Sequence, residues 1–288
     1  MVSSFGGIAT RAAILGAGVR GVDVSRAVRA GELARVRRAH YAGPEASAAA
    51  VTAVRVGGRL GCVSAAASYG IWAASTPEVH VALPVNAARL RTNRALVPSE
   101  EPLTSDRHLS EVRLHWTDIA VGARDGEDAW RVPVERALAD LAHCRPRPEV
   151  AAAFESAVTL GFLGVEAARR FLEDAAPDRV GPIVIGGRDG SGVETLLAIE
   201  LRELGVPFLQ QVPFDGVGFI DFLVAGRLAV ETDGFAYHGD REAFIRDRRR
   251  DEELLRRGIP TLRLAASDVL ADPKAAAMRV VRALAALG

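Results

Sequence analysis

Hydrophobic positions recur along this 288-residue chain with two periods. Toward the C-terminus the runs "FLQQVPF", "GFIDFLV" and "RLAVETD" read as three strands, in which alternate residues share a face. Ahead of them, "SGVETLLAIELRELG" has the helical period, with Val193, Leu197, Leu201 and Leu204 as its apolar stripe and Gly205 as its stop. Glu194 falls on the rim of that stripe, directed at whatever the helix packs on. Ser191 and Glu194 also form a capping-box pair, so the sequence offers two compatible explanations of this carboxylate.

The upstream pattern is more helical. "RVPVERALADLAH", "PEVAAAFESAVTLGF" and "GVEAARRFLEDAAP" read as helices punctuated by Pro148, Gly164 and Pro177, and "EVHVALP" reads as a strand. Between Ala9 and Tyr41 the pattern predicts a short helix, a turn at Gly16-Ala17-Gly18, a second helix over Val22 to Ala30 stopped by Gly31, and a strand pair over residues 33–38. This is the order of a helix-turn-helix followed by a wing. In such a module the second helix enters the major groove, here with Ser25, Arg26 and Arg29, while the wing arginines Arg35, Arg37 and Arg38 touch phosphates. A protein-interaction domain with a solvated basic face would look the same. "GPIVIGGRDGSG", 181–192, lacks the lysine and hydroxyl of a phosphate-binding loop and reads as a linker. The chain is therefore expected to be an α/β multi-domain protein, with a winged helix-turn-helix at 1–50, a mixed α/β segment at 51–180 and a third domain at 181–288.

Composition adds limits. A chain of this length with 49% hydrophobic residues is expected to build more than one core. Thirty-six basic residues balance 36 acidic ones, so whole-chain charge does not select for nucleic acid. Locally, residues 1–50 hold seven arginines against Asp23, Glu32 and Glu45, enough to face a polyanion. No leader pattern or membrane-length apolar run is present, and the expectation is a cytoplasmic protein without membrane contact. Cys62 and Cys144 have no second cysteine or histidine at a chelating interval and read as small core residues, with neither a disulfide nor a zinc site expected. His80, His108, His115 and His143 read as structural or solvated, and Trp72, Trp116 and Trp130 as core or interface anchors.

The chemistry concentrates in the last strands. Phe219, Asp221 and Leu223 share one strand face, and Ala229, Glu231 and Asp233 share another. A two-residue loop would pair Asp221 with Val230. A three-residue loop over Ala225, Gly226 and Arg227 would set Asp221 across from Glu231 with Cβ atoms about 5 Å apart, and this register is expected. Two carboxylates so close repel unless a cation shares them, and a hard divalent ion held by carboxylate and carbonyl oxygens suits the geometry. In the arginine-rich helix from Arg241 to Arg257, the line Phe244, Arg248, Asp251, Leu255 follows helical spacing, which directs Arg248 inward at DNA phosphate, or else leaves Arg248–Glu252 and Arg249–Glu253 as exposed pairs; Arg246, Arg249, Arg250, Arg256 and Arg257 read as solvated.

Asp221 followed ten residues later by Glu231-Thr232-Asp233 resembles the PD-(D/E)XK nuclease core. The continuation "DGFAYHGDREAFIRDRRRDEELLRRGIPTLRL" is similar to domains related to very-short-patch-repair endonucleases, over roughly residues 188–272. The resemblance implies a restriction-endonuclease-like α/β/α core that hydrolyses DNA with Mg²⁺ or Mn²⁺, in repair or defence, leaving 5′-phosphate and 3′-hydroxyl ends. It implies that Asp221, Glu231 and the Thr232 carbonyl hold the metal, and that His238 and the helix acid Glu194 join Asp233 in the catalytic group. Asp233 occupies the place of the motif's lysine and Ile220 that of its proline. The only lysine is Lys274, so His238 or an arginine of the following helix must supply the cation. The N-terminal stretch resembles the winged-helix domain of AbiEi-type antitoxins, a likeness that runs weakly to about residue 165. It implies DNA as partner, and leaves open an antitoxin-like regulator that keeps a nuclease-like domain as a scaffold.

Overall fold

A computed structural model of the chain describes residues 2–87, 90, 111–117, 129–175, 192–233 and 241–288, side chains at 175 and 241–247 excepted. Two compact units are present, Met1–Arg145 and Pro146–Gly288.

The first unit begins with a 3₁₀ turn, Val2–Phe5, and continues through β1 (Ile8–Thr10), α1 (Arg11–Gly16), α2 (Gly21–Arg29), β2 (Ala34–Arg37) and β3 (His40–Ala42). Thr10 starts α1 by accepting a hydrogen bond from the Ala13 amide at 3.1 Å, which satisfies one of the donors a helix leaves unpaired at its start. Ile14 of α1 and Val24 of α2 pack on Val2, Ala9 and Tyr41. The strands form a small antiparallel sheet in the order β1-β3-β2. The expected helix, turn and helix are present, whereas residues 33–38 hold one strand, β2, whose partner β3 lies beyond them at His40–Ala42.

Next come α3 (Ala48–Val56), β4 (Arg59–Leu60), α4 (Cys62–Ser68), β5 (Val79–Pro84), β6 (Val112–Thr117) and α5 (Val134–Cys144). β5 lies between β4, antiparallel to it, and β6, parallel to it. The segment limit expected near residue 50 falls inside this unit. Ile8, Val36 and Ala42 share one core with Ala50, Ala53, Val81 and Leu83, so the N-terminal strands bury their apolar faces against the following elements.

The second unit comprises α6 (Arg147–Thr159), α7 (Val165–Ala175), α8 (Gly192–Glu203), β7 (Phe208–Phe214), β8 (Gly218–Val224), β9 (Leu228–Asp233), α9 (Arg241–Arg256), β10 (Thr261–Ala265), α10 (Ala266–Ala271) and α11 (Pro273–Ala285). Its sheet runs β10-β9-β8-β7, antiparallel except that β10 lies parallel to β9. A parallel neighbour requires a crossover, and α9 lies in it. Helix α8 packs against α6, α10 and α11. The junction expected at 181–192 lies almost entirely outside the described residues.

The face of α9 differs from expectation. Leu254 is fully buried, whereas Leu255 is 65% exposed. Two adjacent leucines sit about 100° apart on a helix, and taking the wrong one as the inward marker rotates the assigned face by that angle. Among the described residues, no helix is long and apolar enough to cross a membrane.

Candidate active site

The β8–β9 hairpin pairs Val224 with Leu228, Leu223 with Ala229 and Phe222 with Val230. Ala225, Gly226 and Arg227 are therefore the loop. The Arg227 amide donates to the Val224 carbonyl at 3.0 Å, and Ala225 and Gly226 take φ of 49° and 68°. The paired register ends at Phe222 and Val230, and the Asp221 charge acts on the Glu231 carboxyl one residue beyond it. Asp221 Oδ2 accepts hydrogen bonds from the Thr232 amide at 2.8 Å and from its hydroxyl at 3.3 Å, which ties the aspartate to the neighbouring strand.

Glu231 is 5% exposed. Burial holds its carboxyl above the ordinary range, opposed by the Arg250 and Arg263 charges, while the Asp221 charge adds to the rise. Arg250 Nη2 lies 2.7 Å from Oε1, and Arg263 Nη1 lies 3.1 Å from Oε2. Arg250 also donates to the Phe219 carbonyl, and Glu231 Oε1 is left buried with no hydrogen bond aligned on it. Arg263 stands opposite Glu231 in the β9–β10 register. The same guanidinium reaches Asp233 at 3.2 Å and Asp251 at 2.9 Å. Burial works against its charge, yet these three acids hold its pKa above the ordinary value.

The sequence had not singled out Arg263, and had read Arg250 as solvated. Arg250 is the helix arginine brought to Glu231, whereas Arg248 is exposed. The signal available for Arg263 was a lone charge inside the apolar run "IPTLRL", at a strand position that alternation points to the acidic face. Asp233 is committed to the Arg263 ion pair. His238 lies outside the described residues, as do Gly234 and Ser191.

Glu194, in the first turn of α8, is 7% exposed, and its Oε2 accepts from Gln211 Nε2 at 2.7 Å. Gln211 sits on β7 between the pairs Gln210–Phe222 and Val212–Ile220, hence opposite Asp221, with φ of 49°. A non-glycine residue holds this left-handed backbone only where its surroundings fix it. Gln211 thus joins the helix carboxylate to the strand position facing Asp221. Its signal in the sequence is the pair of glutamines inside an apolar strand. The carboxylate oxygens of Asp221, Glu231 and Glu194 are of the kind a hard divalent cation takes, while Arg250 and Arg263 stand at the two oxygens of Glu231.

Residues 194–284 match the family model REase_MTES_1575. The C-terminal domain is restriction-endonuclease-like. A comparison of the chain with curated proteins returned no match. The match to the restriction-endonuclease-like family begins at Glu194 and spans β7 to β10, so it contains Glu194, Asp221, Glu231, Thr232 and Asp233.

The N-terminal arginines are distributed unevenly. Arg26 is exposed and pairs with Asp23 at 3.0 Å, and Arg29 donates to the Ser25 carbonyl at 3.3 Å. Arg35 and Arg38 are exposed. Arg37 is half-buried, and its guanidinium lies where a Cβ on Gly57 would stand, so its side chain packs within the unit.

The fold also corrects the reading of the cysteines. Cys62 and Cys144 do not lie apart: with His80 and His115 they place four potential ligand atoms all within 4.8 Å of one another. Cys62 is buried, and so is His80 at 0% exposure. No short spacing in the sequence signals this group, because each member comes from a different element.

Proposed function

We propose that the protein is a metal-dependent DNA endonuclease whose hydrolytic centre lies at the β8–β9 hairpin. The observation that carries this reading is that Asp221 and Glu231 flank the last pair of the β8–β9 hairpin, Phe222–Val230, and feel each other's charge within a restriction-endonuclease-like domain. Asp221, Glu231 and the main-chain carbonyl of Thr232 would hold Mg²⁺ or Mn²⁺, which supplies charge against the scissile phosphate and makes a bound water more acidic. Thr232 fixes the orientation of the Asp221 carboxylate through two hydrogen bonds to one oxygen. Gln211 holds Glu194 through one hydrogen bond, with that carboxylate available to orient water. Arg263 supplies a guanidinium beside Glu231, where Asp233 replaces the cation of the motif. Arg26, Arg29, Arg35 and Arg38 are exposed and suited to phosphate contacts, which would hold duplex DNA.

A second reading has its own observation. Arg250 and Arg263 already compensate the Glu231 charge, as expected of a DNA-binding regulator that retains the domain as a scaffold. One assay separates the two: the full chain is incubated with Mg²⁺ or Mn²⁺ and plain, mismatched, branched and single-stranded DNAs, beside Asp221→Ala. Cleavage by the wild type and its loss in the variant are expected. Cleavage of none of these substrates selects the regulator, and cleavage unaffected by the substitution refutes the assigned site.

A further inference from the structure

The four side chains gathered in the first unit have no part in the proposed hydrolysis, and each is delivered by a separate feature. Cys62 opens α4, His80 lies on β5, His115 lies on β6 and Cys144 ends α5. The Gly61 amide donates to the His80 carbonyl at 2.9 Å, and a Cβ on Gly61 would sit only 2.9 Å from the Ala82 Cβ. The glycine therefore lets the start of α4 come down onto β5 and carries Cys62 to the strand. Cys62 takes φ of 48°, a conformation that a residue with a side chain holds only under constraint. His115 is registered opposite Ala82, two residues beyond His80, so both imidazoles project from one face of the parallel pair.

We propose that Cys62, His80, His115 and Cys144 form a structural zinc site. His80 Nδ1 lies 2.9 Å from His115 Nε2 and 3.9 Å from Cys144 Sγ. Tetrahedral zinc, with bonds of about 2.0–2.3 Å, needs ligand atoms roughly 3.3–3.8 Å apart. All four atoms already lie within 4.8 Å, so small side-chain movements complete the tetrahedron. Two thiolates and two neutral imidazoles cancel the charge of Zn²⁺, which lets the assembled site remain buried without a residual charge. A cavity of about 500 Å³, lined by His115, Cys144, Asp140 and Arg136 among others, opens on the outer ligands and gives the ion an approach. The site would fasten α4, both strands and the end of α5, contacts for which the apolar core alone would otherwise have to suffice.

The test uses the full chain purified under reducing conditions, loaded with Zn²⁺ and freed of excess ion. About one tightly bound zinc per chain is expected, lost in Cys62→Ser and His115→Ala and retained in Asp221→Ala. Replacing Zn²⁺ with Co²⁺ in the wild type is expected to give the strong visible bands of a four-coordinate ion together with near-ultraviolet thiolate charge transfer. This readout stands even if a variant fails to fold. Absence of stoichiometric zinc overturns the proposal, as does a Co²⁺ spectrum without thiolate charge transfer, or zinc retained in Cys62→Ser. The Asp221→Ala arm keeps the outcome independent of whether the chain cleaves DNA.

Discussion

Arg263 is the residue whose removal should most disturb the second unit for its size. Its guanidinium meets Glu231, Asp233 and Asp251, and Glu231 is too buried for water to replace it. Substituting Arg263→Met keeps most of the stem's packing and leaves Glu231 with Arg250 alone. Breaking one partner from a buried ion pair costs roughly 3–5 kcal/mol. The Arg263 side chain is 28% exposed, so the lower end applies, about 3 kcal/mol. Arg279, paired with Asp268 where both side chains are well exposed, provides the contrast: Arg279→Met should cost about 0.5 kcal/mol. Tryptophan fluorescence would follow the wrong half, because Trp72, Trp116 and Trp130 all precede Pro146. Amide hydrogen exchange of β8, β9 and β10 in the full chain reads the affected sheet, where about 3 kcal/mol corresponds to a roughly hundredfold faster exchange. Glu231 is the partner that Arg263 and Arg250 share, so the losses from Arg263→Met and Glu231→Gln should not add in the double variant. Exchange in Arg263→Met no faster than in Arg279→Met, or strict additivity in the double variant, would refute the reasoning.

Two further outcomes follow from local geometry and charge. Gly57→Ala should destabilise the first unit by about 2 kcal/mol or more, because φ is 121° there and the added Cβ meets the Arg37 guanidinium; Gly70→Ala, with positive φ but open space, should cost about 1 kcal/mol. Thermal unfolding followed by tryptophan fluorescence in the first unit checks the order of the two. Glu200 on α8 has its carboxyl raised by burial and by the Glu203 charge. A carboxyl raised in the folded state binds more protons there than when unfolded, so the stability it contributes is present below the unfolded pKa and is lost as pH rises through the folded one. Glu200→Gln should therefore unfold with wild type in acid and at a higher temperature toward neutral pH, as measured by calorimetry; a constant offset across that range would contradict the assignment.

The order of helix, turn and helix, the strand "EVHVALP", the three C-terminal strands and the three-residue loop between β8 and β9 were all legible in the sequence. These features depend on neighbours within a few residues: apolar period sets the element, and a three-residue loop fixes register across a hairpin. The inward direction of Glu194 followed from the same reasoning, because it lies on the rim of the apolar stripe. The arginines at the site did not, because choosing Arg250 over Arg248 turns on which of two adjacent leucines faces inward, and packing alone decides that. Arg263 was reached only when β10 joined the sheet beside β9. Least legible of all were Cys62, His80, His115 and Cys144, scattered over more than eighty residues and drawn from two helices and two parallel strands. A parallel pair joins segments distant in sequence, and its neighbours follow from the closing of the core. Local pattern therefore determined the acids of the hairpin, while only the tertiary structure assembled the cations around them and the cysteine–histidine group.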